Sequence, residues 1–148
     1  MYKTVHKLIK KYRSSDPLTI AHCMNAKLIY QDFGDNIRGF YQYFKRGIII
    51  GVNNTLPEKE MNRVIAHEIG HAILHKKLNR IFMDKFTLNA PGKYENEADL
   101  FAAYLIISDD DISEYISHEY TASQIADMTG IDEVFVKKRI EGYLKNIS

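Results

Sequence analysis

A chain of 148 residues, 45% hydrophobic and 26% charged, suits one compact domain that buries roughly two-thirds of its unfolded surface. Its formal net charge of +1 gives no electrostatic drive for tight nucleic-acid binding by the domain as a whole. The single cysteine, Cys23, excludes an internal disulfide and its apolar setting reads as core, no run approaches the ~20 apolar residues of a membrane span, and the N-terminus lacks a signal-peptide core; a reducing, cytoplasmic location is expected.

The single domain expected over 1–148 reads as three regions: N-terminal helices at 1–26, a sheet with two longer helices at 27–107, and a helical tail at 108–148. The spacing of Val5, Leu8, Ile9 and Tyr12 predicts a first helix near Tyr2 to Arg13. A second near Pro17 to Asn25 takes Asp16 as its cap and Pro17 in its first position. Three runs rich in isoleucine and aromatics follow, Lys27 to Asp32, Gly39 to Phe44 and Gly47 to Val52, parted by Gly34-Asp35-Asn36 and Lys45-Arg46-Gly47. They predict a small antiparallel meander, with Tyr30, Phe40, Tyr41, Tyr43 and Phe44 as sheet packing. The third run leads into the next helix, so a strand edge near it is expected to pair with an extended substrate.

That helix carries His67-Glu68-Ile69-Gly70-His71. Thr55 and Glu58 suggest a capping box, Pro57 lies in the first turn, Glu58 and Glu60 suit the positive end of the dipole, and Lys76 and Lys77 mark the far end. Met61, Val64, Ile65, Ile69, Ala72 and Ile73 recur at helical spacing and bury the helix. Residues four apart share a face, so His67 and His71 can grip one zinc ion, with Glu68 close enough to take a proton from a water. Together these make the kit for hydrolysing an amide bond. Gly70 costs such a helix about 1 kcal/mol relative to alanine and implies a tight approach by another element. His75 lies about 12 Å along the axis from His67 at ~1.5 Å per residue, too far to share the ion, and takes either an outer-shell or a surface role. A metzincin would need a histidine where Lys77 stands.

The third ligand is expected from a later helix, Tyr94 to Leu105, which follows the breaker Asn89-Ala90-Pro91-Gly92. Ala98, Phe101, Ala102 and Leu105 form its buried stripe, and Glu95 lies on that side. Glu95 is favoured over Glu97, which belongs to a different face, because a buried carboxylate needs a partner such as the ion. Asp99 is placed to accept the outer N–H of a ligating histidine.

In the tail, Ser108 caps a helix opening with Asp109, Asp110 and Asp111. Thr121 and Gln124 form a capping box, and a helix, a Thr129-Gly130 turn and another helix follow to about Asn146. Residues Ser123 to Ile140 thus look like a helix-turn-helix. Lys137, Lys138 and Arg139 could touch phosphates, but Asp132 and Glu133 stand where a recognition helix would enter the groove, so packing or substrate docking is the expected role.

His67-Glu68-Ile69-Gly70-His71, followed by Glu95-Asn96-Glu97-Ala98-Asp99-Leu100-Phe101-Ala102, resembles the ImmA/IrrE family of zinc metallo-endopeptidases, and Asp16-Pro17-Leu18-Thr19-Ile20-Ala21 resembles the family's entry into its second helix. The resemblance runs from about residue 15 to residue 108, departing at Ser108, where many relatives have proline. It implies an α+β, zincin-like domain with a short antiparallel sheet packed on the H-E-x-x-H helix and a helical tail. It also implies one catalytic zinc on His67, His71 and Glu95, Glu68 as catalytic base, and cleavage of a repressor encoded by a prophage, mobile element or stress locus. For the oxyanion donor, Tyr94, Tyr104 and His75 stay open. The alternative is a regulatory module, stabilised by metal, that inactivates a repressor by binding. The presence of Glu68 argues against it, since a purely structural site needs no base.

Overall fold

The computed structural model describes residues 1–76, 80–83 and 92–148. Two amphipathic helices open the chain: α1 (Tyr2–Tyr12), which buries Val5 and Leu8, and α2 (Pro17–Cys23). Asp16 caps α2 through its carboxylate on the Thr19 N–H at 2.9 Å, with Pro17 at the first helical position as its fixed φ favours. The buried face of α2 is Pro17, Ile20 and Ala21. Cys23, expected in the core, is exposed: as the last residue of α2 it lies roughly 110° around the helix from the middle of the face formed by Pro17, Ile20 and Ala21, at ~100° per residue.

Strands β1 (Lys27–Gln31), β2 (Ile37–Phe44), β3 (Gly47–Asn53) and β4 (Arg80–Met83) make a sheet in the order β1-β3-β2-β4. The antiparallel arrangement holds for β2 with β3 and for β2 with β4, but β1 runs parallel to β3, so the sheet is mixed and is no simple meander. The connection from β1 to β2 must therefore pass the end of β3, and Asn53 holds it there. Its amide Nδ2 donates to the carbonyls of Gly34 and Ile37, both at 2.8 Å, while its Oδ1 accepts from the Thr55 N–H and hydroxyl at 3.0 and 2.7 Å. Thr55 is consequently unavailable as a helix cap. Helix α3 (Glu58–Leu74) begins after Pro57 with no side-chain cap, so the expected capping box does not form. Glu58 and Glu60 do lie in its first turn. Its expected C-terminal marker Lys77 and the breaker residues 89–91 lie outside the described residues.

The sheet rests on α3 at close range. A Cβ built on Gly39 of β2 would meet Val64 Cγ1 at 2.4 Å and the Gly51 carbonyl oxygen at 2.7 Å, with Glu68 Oε1 3.6 Å away. Since one of those atoms belongs to the backbone of the neighbouring strand, relief requires moving a strand. Gly39→Ala is expected to destabilise the protein by about 1–3 kcal/mol, the range for overpacking, as read from the midpoint of urea unfolding at unchanged slope.

Helix α4 (Gly92–Ile106) crosses α3 on its other side. Gly70 permits the approach: a Cβ there would meet Phe101 Cδ1 at 3.1 Å and Ala98 Cα at 3.2 Å. Ala98, Phe101, Ala102 and Leu105 are all buried, as their spacing predicts. The tail comprises α5 (Asp109–Ser117), α6 (Ala122–Thr129) and α7 (Glu133–Ile147). Both expected caps form as capping boxes, Ser108 with Asp111 and Thr121 with Gln124. Ser108, the departure from the family pattern, thus has a local role in starting α5.

The turn between α6 and α7 is docked on α3. Gly130, in a left-handed conformation at φ 75°, packs near the Lys59 carbonyl, the Lys59 ammonium donates to the Asp127 carbonyl, and Arg63 Nη1 donates to Asp132 Oδ1 at 3.1 Å. Of the tail cations considered for phosphate contact, Arg139 is internal. Its guanidinium lies over the Tyr104 ring, 4.5 Å from the centroid, and donates to the Ile107 carbonyl and to Asp109. Lys137 pairs with Glu133 at 2.7 Å. Packing is the role these contacts give the tail. Among the described residues no helix is long and apolar enough to cross a membrane.

Candidate metal centre

Helix α3 is amphipathic only at its ends. From Val64 to Ala72 every residue is buried, between the sheet on one side and α4 on the other, which places three ionisable side chains inside the protein. His67 is 2% exposed, and Glu68 and His71 are 0% exposed. Burying such groups is costly unless each finds a partner.

The two histidines find theirs in each other and on α4. Their Nε2 atoms face one another at 3.1 Å, and Glu95 Oε2 approaches them at 3.2 Å from His67 and 3.5 Å from His71. One ligand atom from each of the three residues lies within 4.8 Å of the others, close enough to hold a single metal ion. The outer ring nitrogens are turned away from this point. His67 Nδ1 lies 2.8 Å from Asp99 Oδ1, the contact expected for an outer-shell carboxylate, and Asp99 is itself 4.0 Å from Arg63 Nη2. His71 Nδ1 lies 3.0 Å from His75 Nδ1. A carboxylate or another imidazole on each Nδ1 leaves both Nε2 lone pairs converging on one place, which is the geometry a cation needs.

Glu68 adds to the fit. Neither of its carboxylate oxygens has a hydrogen-bond partner among the described residues, and Glu95 Oε2 has no hydrogen-bond partner there beyond its approach to the two imidazoles. Orphaned buried oxygens of this kind beside two imidazoles suit a divalent cation and a water in a way that an apolar core does not. The Glu68 carboxyl is pushed up to about 8 by its burial and by the charges of Glu95 and Asp99, against the opposing pull of His67. Burial works to lower His67, yet its contacts with Asp99 and Glu95 lift it to about 9. Burial likewise works to raise Glu95, and the approach of both histidines holds it at about 2. His71 is lowered, chiefly by burial. Because a proton and a divalent cation compete for the same lone pairs, a metal ion bound by this cluster would displace a proton.

The structure thus brings together His67, Glu68, His71 and Glu95. Glu97 stands apart from the three converging atoms, with its Oε2 2.7 Å from His75 Nε2. His75 is buried beneath Tyr94, whose ring meets it edge-on at 4.7 Å. Of its two expected roles, the surface one is therefore excluded. With both nitrogens of His75 occupied and Tyr104 lying under Arg139, neither is aimed at the cluster as an oxyanion donor. The buried Tyr41, whose hydroxyl donates to the Lys76 carbonyl at 3.2 Å, is pushed up to about 12 by burial and by the nearby Tyr43 and Glu68, which makes it a poor acid. Sequence reasoning missed Gly39, the close approach beside Glu68. Its one visible signal was a glycine inside a strand pattern.

Two histidines one turn apart, a carboxylate delivered by a crossing helix and a buried glutamate beside them define a metallopeptidase-type centre. Residues 21–141 match a peptidase family described as the IrrE N-terminal-like domain. The chain is 39% identical over 142 residues to "Uncharacterized immunity region protein 2" of Bacillus phage phi105, spanning 96% of this chain and 90% of that protein. It is also 29% identical over 126 residues to "Metallopeptidase ImmA" of Bacillus subtilis (strain 168), spanning 82% of this chain and 73% of the relative. The chain belongs to the ImmA/IrrE peptidase family.

If Glu95 is the third ligand, Glu95→Ala abolishes zinc retention through gel filtration, whereas Glu97→Ala still carries metal. Retention in the first and complete loss in the second would reverse the assignment.

Proposed function

We propose that this chain is a zinc-dependent endopeptidase that hydrolyses a peptide bond in a protein substrate, a helix-turn-helix repressor governing a prophage or mobile element, in the cytoplasm. The observation that carries the reading is the convergence of His67 Nε2, His71 Nε2 and Glu95 Oε2 beside the buried Glu68. Similarity to a phage immunity-region protein and to a metallopeptidase supports the substrate context.

In this reading His67, His71 and Glu95 hold the ion. Zinc at that position supplies Lewis acidity toward a water and toward the scissile carbonyl. Asp99 orients His67 by accepting its Nδ1–H, so that Nε2 keeps its lone pair for the ion. Glu68 accepts a proton from the attacking water and delivers it to the departing amine nitrogen. Its burial, at 0% exposure, keeps that proton exchange away from bulk water.

Positioning of the substrate falls to the sheet. Strand β3, which leads into α3, is flanked by β1 and β2, so its own edges are taken and the expectation of pairing there moves to an outer strand. Strand β4, beyond β2 and Gly39, has no strand on its outer side among the described residues. An extended peptide added to that edge would gain main-chain hydrogen bonds on the far side of β2, the strand that packs on α3 through Gly39.

The test is mass spectrometry of the repressor-like protein encoded beside this gene after incubation with the zinc-loaded enzyme, with and without a chelator. A single new cleavage point that disappears with the metal is expected. An intact repressor in both reactions, still bound by the enzyme and released from its DNA, would favour inactivation by contact.

A further inference from the structure

His75, the C-cap residue of α3, continues the four-residue spacing of His67 and His71, and the reaction as described gives it no task. We propose that His75 is a positioning residue for the metal ligand His71, and that Glu97 fixes His75 in turn, so that the two ligands are supported by carboxylates in different ways. The proposal rests on the reading of His71 as a ligand.

Ring chemistry dictates the direction of the chain. With His71 Nε2 turned toward His67 and Glu95, ligation through that atom leaves the ring proton on Nδ1. That N–H faces His75 Nδ1 at 3.0 Å, and a hydrogen bond between two ring nitrogens needs one donor and one acceptor. His75 Nδ1 must then present a lone pair and carry its own proton on Nε2, which stands 2.7 Å from Glu97 Oε2. One tautomer of each ring satisfies both of these contacts: His71 Nδ1–H donates to His75, and His75 Nε2–H donates to Glu97.

The backbone supports the same arrangement. Helix α3 ends at Leu74, and His75, with φ −130° and ψ 39°, leaves the helix while its N–H still donates to the His71 carbonyl at 2.8 Å. The departing backbone carries the His75 ring beside His71, where the side chain is 3% exposed and braced by Tyr94. Glu97 sits two residues after Glu95, off the ligand face, with its side chain 37% exposed. His67 by contrast reaches its carboxylate, Asp99, directly at 2.8 Å. An imidazole inserted between ligand and carboxylate extends the support to the protein surface.

The experiment measures zinc affinity by chelator competition on the full chain, in wild type, His75→Ala, Glu97→Ala, the double variant and His71→Ala, with long-range ¹H–¹⁵N spectra of the zinc-loaded wild type. Glu97→Ala changes a partly exposed side chain and is the variant least able to disturb folding. It is expected to weaken zinc binding about 10–100-fold, as is His75→Ala, the range for lost outer-shell partners. Because Glu97 acts through His75, the double variant should bind no more weakly than His75→Ala alone. The spectra should show His75 protonated on Nε2. Wild-type affinity in Glu97→Ala, additive losses in the double variant, or an Nδ1-protonated His75 would each overturn the relay. Wild-type affinity in His71→Ala would instead remove the ligand set on which it stands.

Discussion

Glu68→Gln is expected to lower peptide-bond hydrolysis by roughly 10²–10⁴-fold, the usual contribution of a general base, with zinc still bound at wild-type stoichiometry. The two readouts separate because Glu68 lies outside the three-residue cluster that could hold the ion, while its oxygens are buried with no hydrogen-bond partner among the described residues. Glutamine keeps the shape and removes the basicity. It also removes a buried carboxylate that has to be accommodated at a cost, so the variant should be at least as resistant to urea as wild type. Full activity in Glu68→Gln would leave the proposed proton transfer without an agent.

Phe101→Ala is expected to cost about 3–5 kcal/mol, a large share of the 5–15 kcal/mol that holds a typical domain together. Phe101 is 0% exposed and packs against Gly70, where α4 approaches α3. Its ring sets the separation of the two helices, so the same substitution should loosen Glu95 from His67 and His71 and weaken zinc binding in the fraction that folds. Leu144→Ala on α7, where the side chain is 47% exposed, serves as the comparison and should change stability by no more than about 0.5 kcal/mol. Urea unfolding of the two variants measures both effects. Equal midpoints would show that the α3–α4 contact is not where the core gains its stability.

Local rules carried the helices well. Asp16, Ser108 and Thr121 each cap the helix they precede, since a side-chain oxygen meeting an N–H two or three residues on needs nothing from the rest of the chain. Thr55 breaks the pattern because Asn53, at the end of β3, takes its hydroxyl and N–H. That competition depends on where the β1–β2 connection passes, which is a fact about the sheet. Cys23 illustrates a smaller error, for apolar neighbours in sequence do not put a residue on the buried face of a seven-residue helix. Arg139 is the reverse case: its charge and its place beside Lys137 and Lys138 suggest a surface cation, yet it is buried by Tyr104, Ile107 and Asp109, which approach it from 30 or more positions earlier in the chain. Strand β4 was not foreseen, and its four residues are too few to show a period of their own.

What the sequence by itself determined is the pair of helices and the chemistry they carry. The spacing of His67 and His71, the small residue at Gly70 and the apolar stripe from Ala98 to Leu105 are consequences of the 3.6-residue repeat, legible without coordinates. The tertiary structure alone decided the parallel β1–β3 pairing, the approach of Gly39 to Glu68, and the chain of contacts from His71 through His75 to Glu97. Each joins residues whose separation in sequence obeys no period, or depends on how the backbone leaves a helix. Helical periodicity says which face a side chain occupies, and only packing says what stands opposite that face.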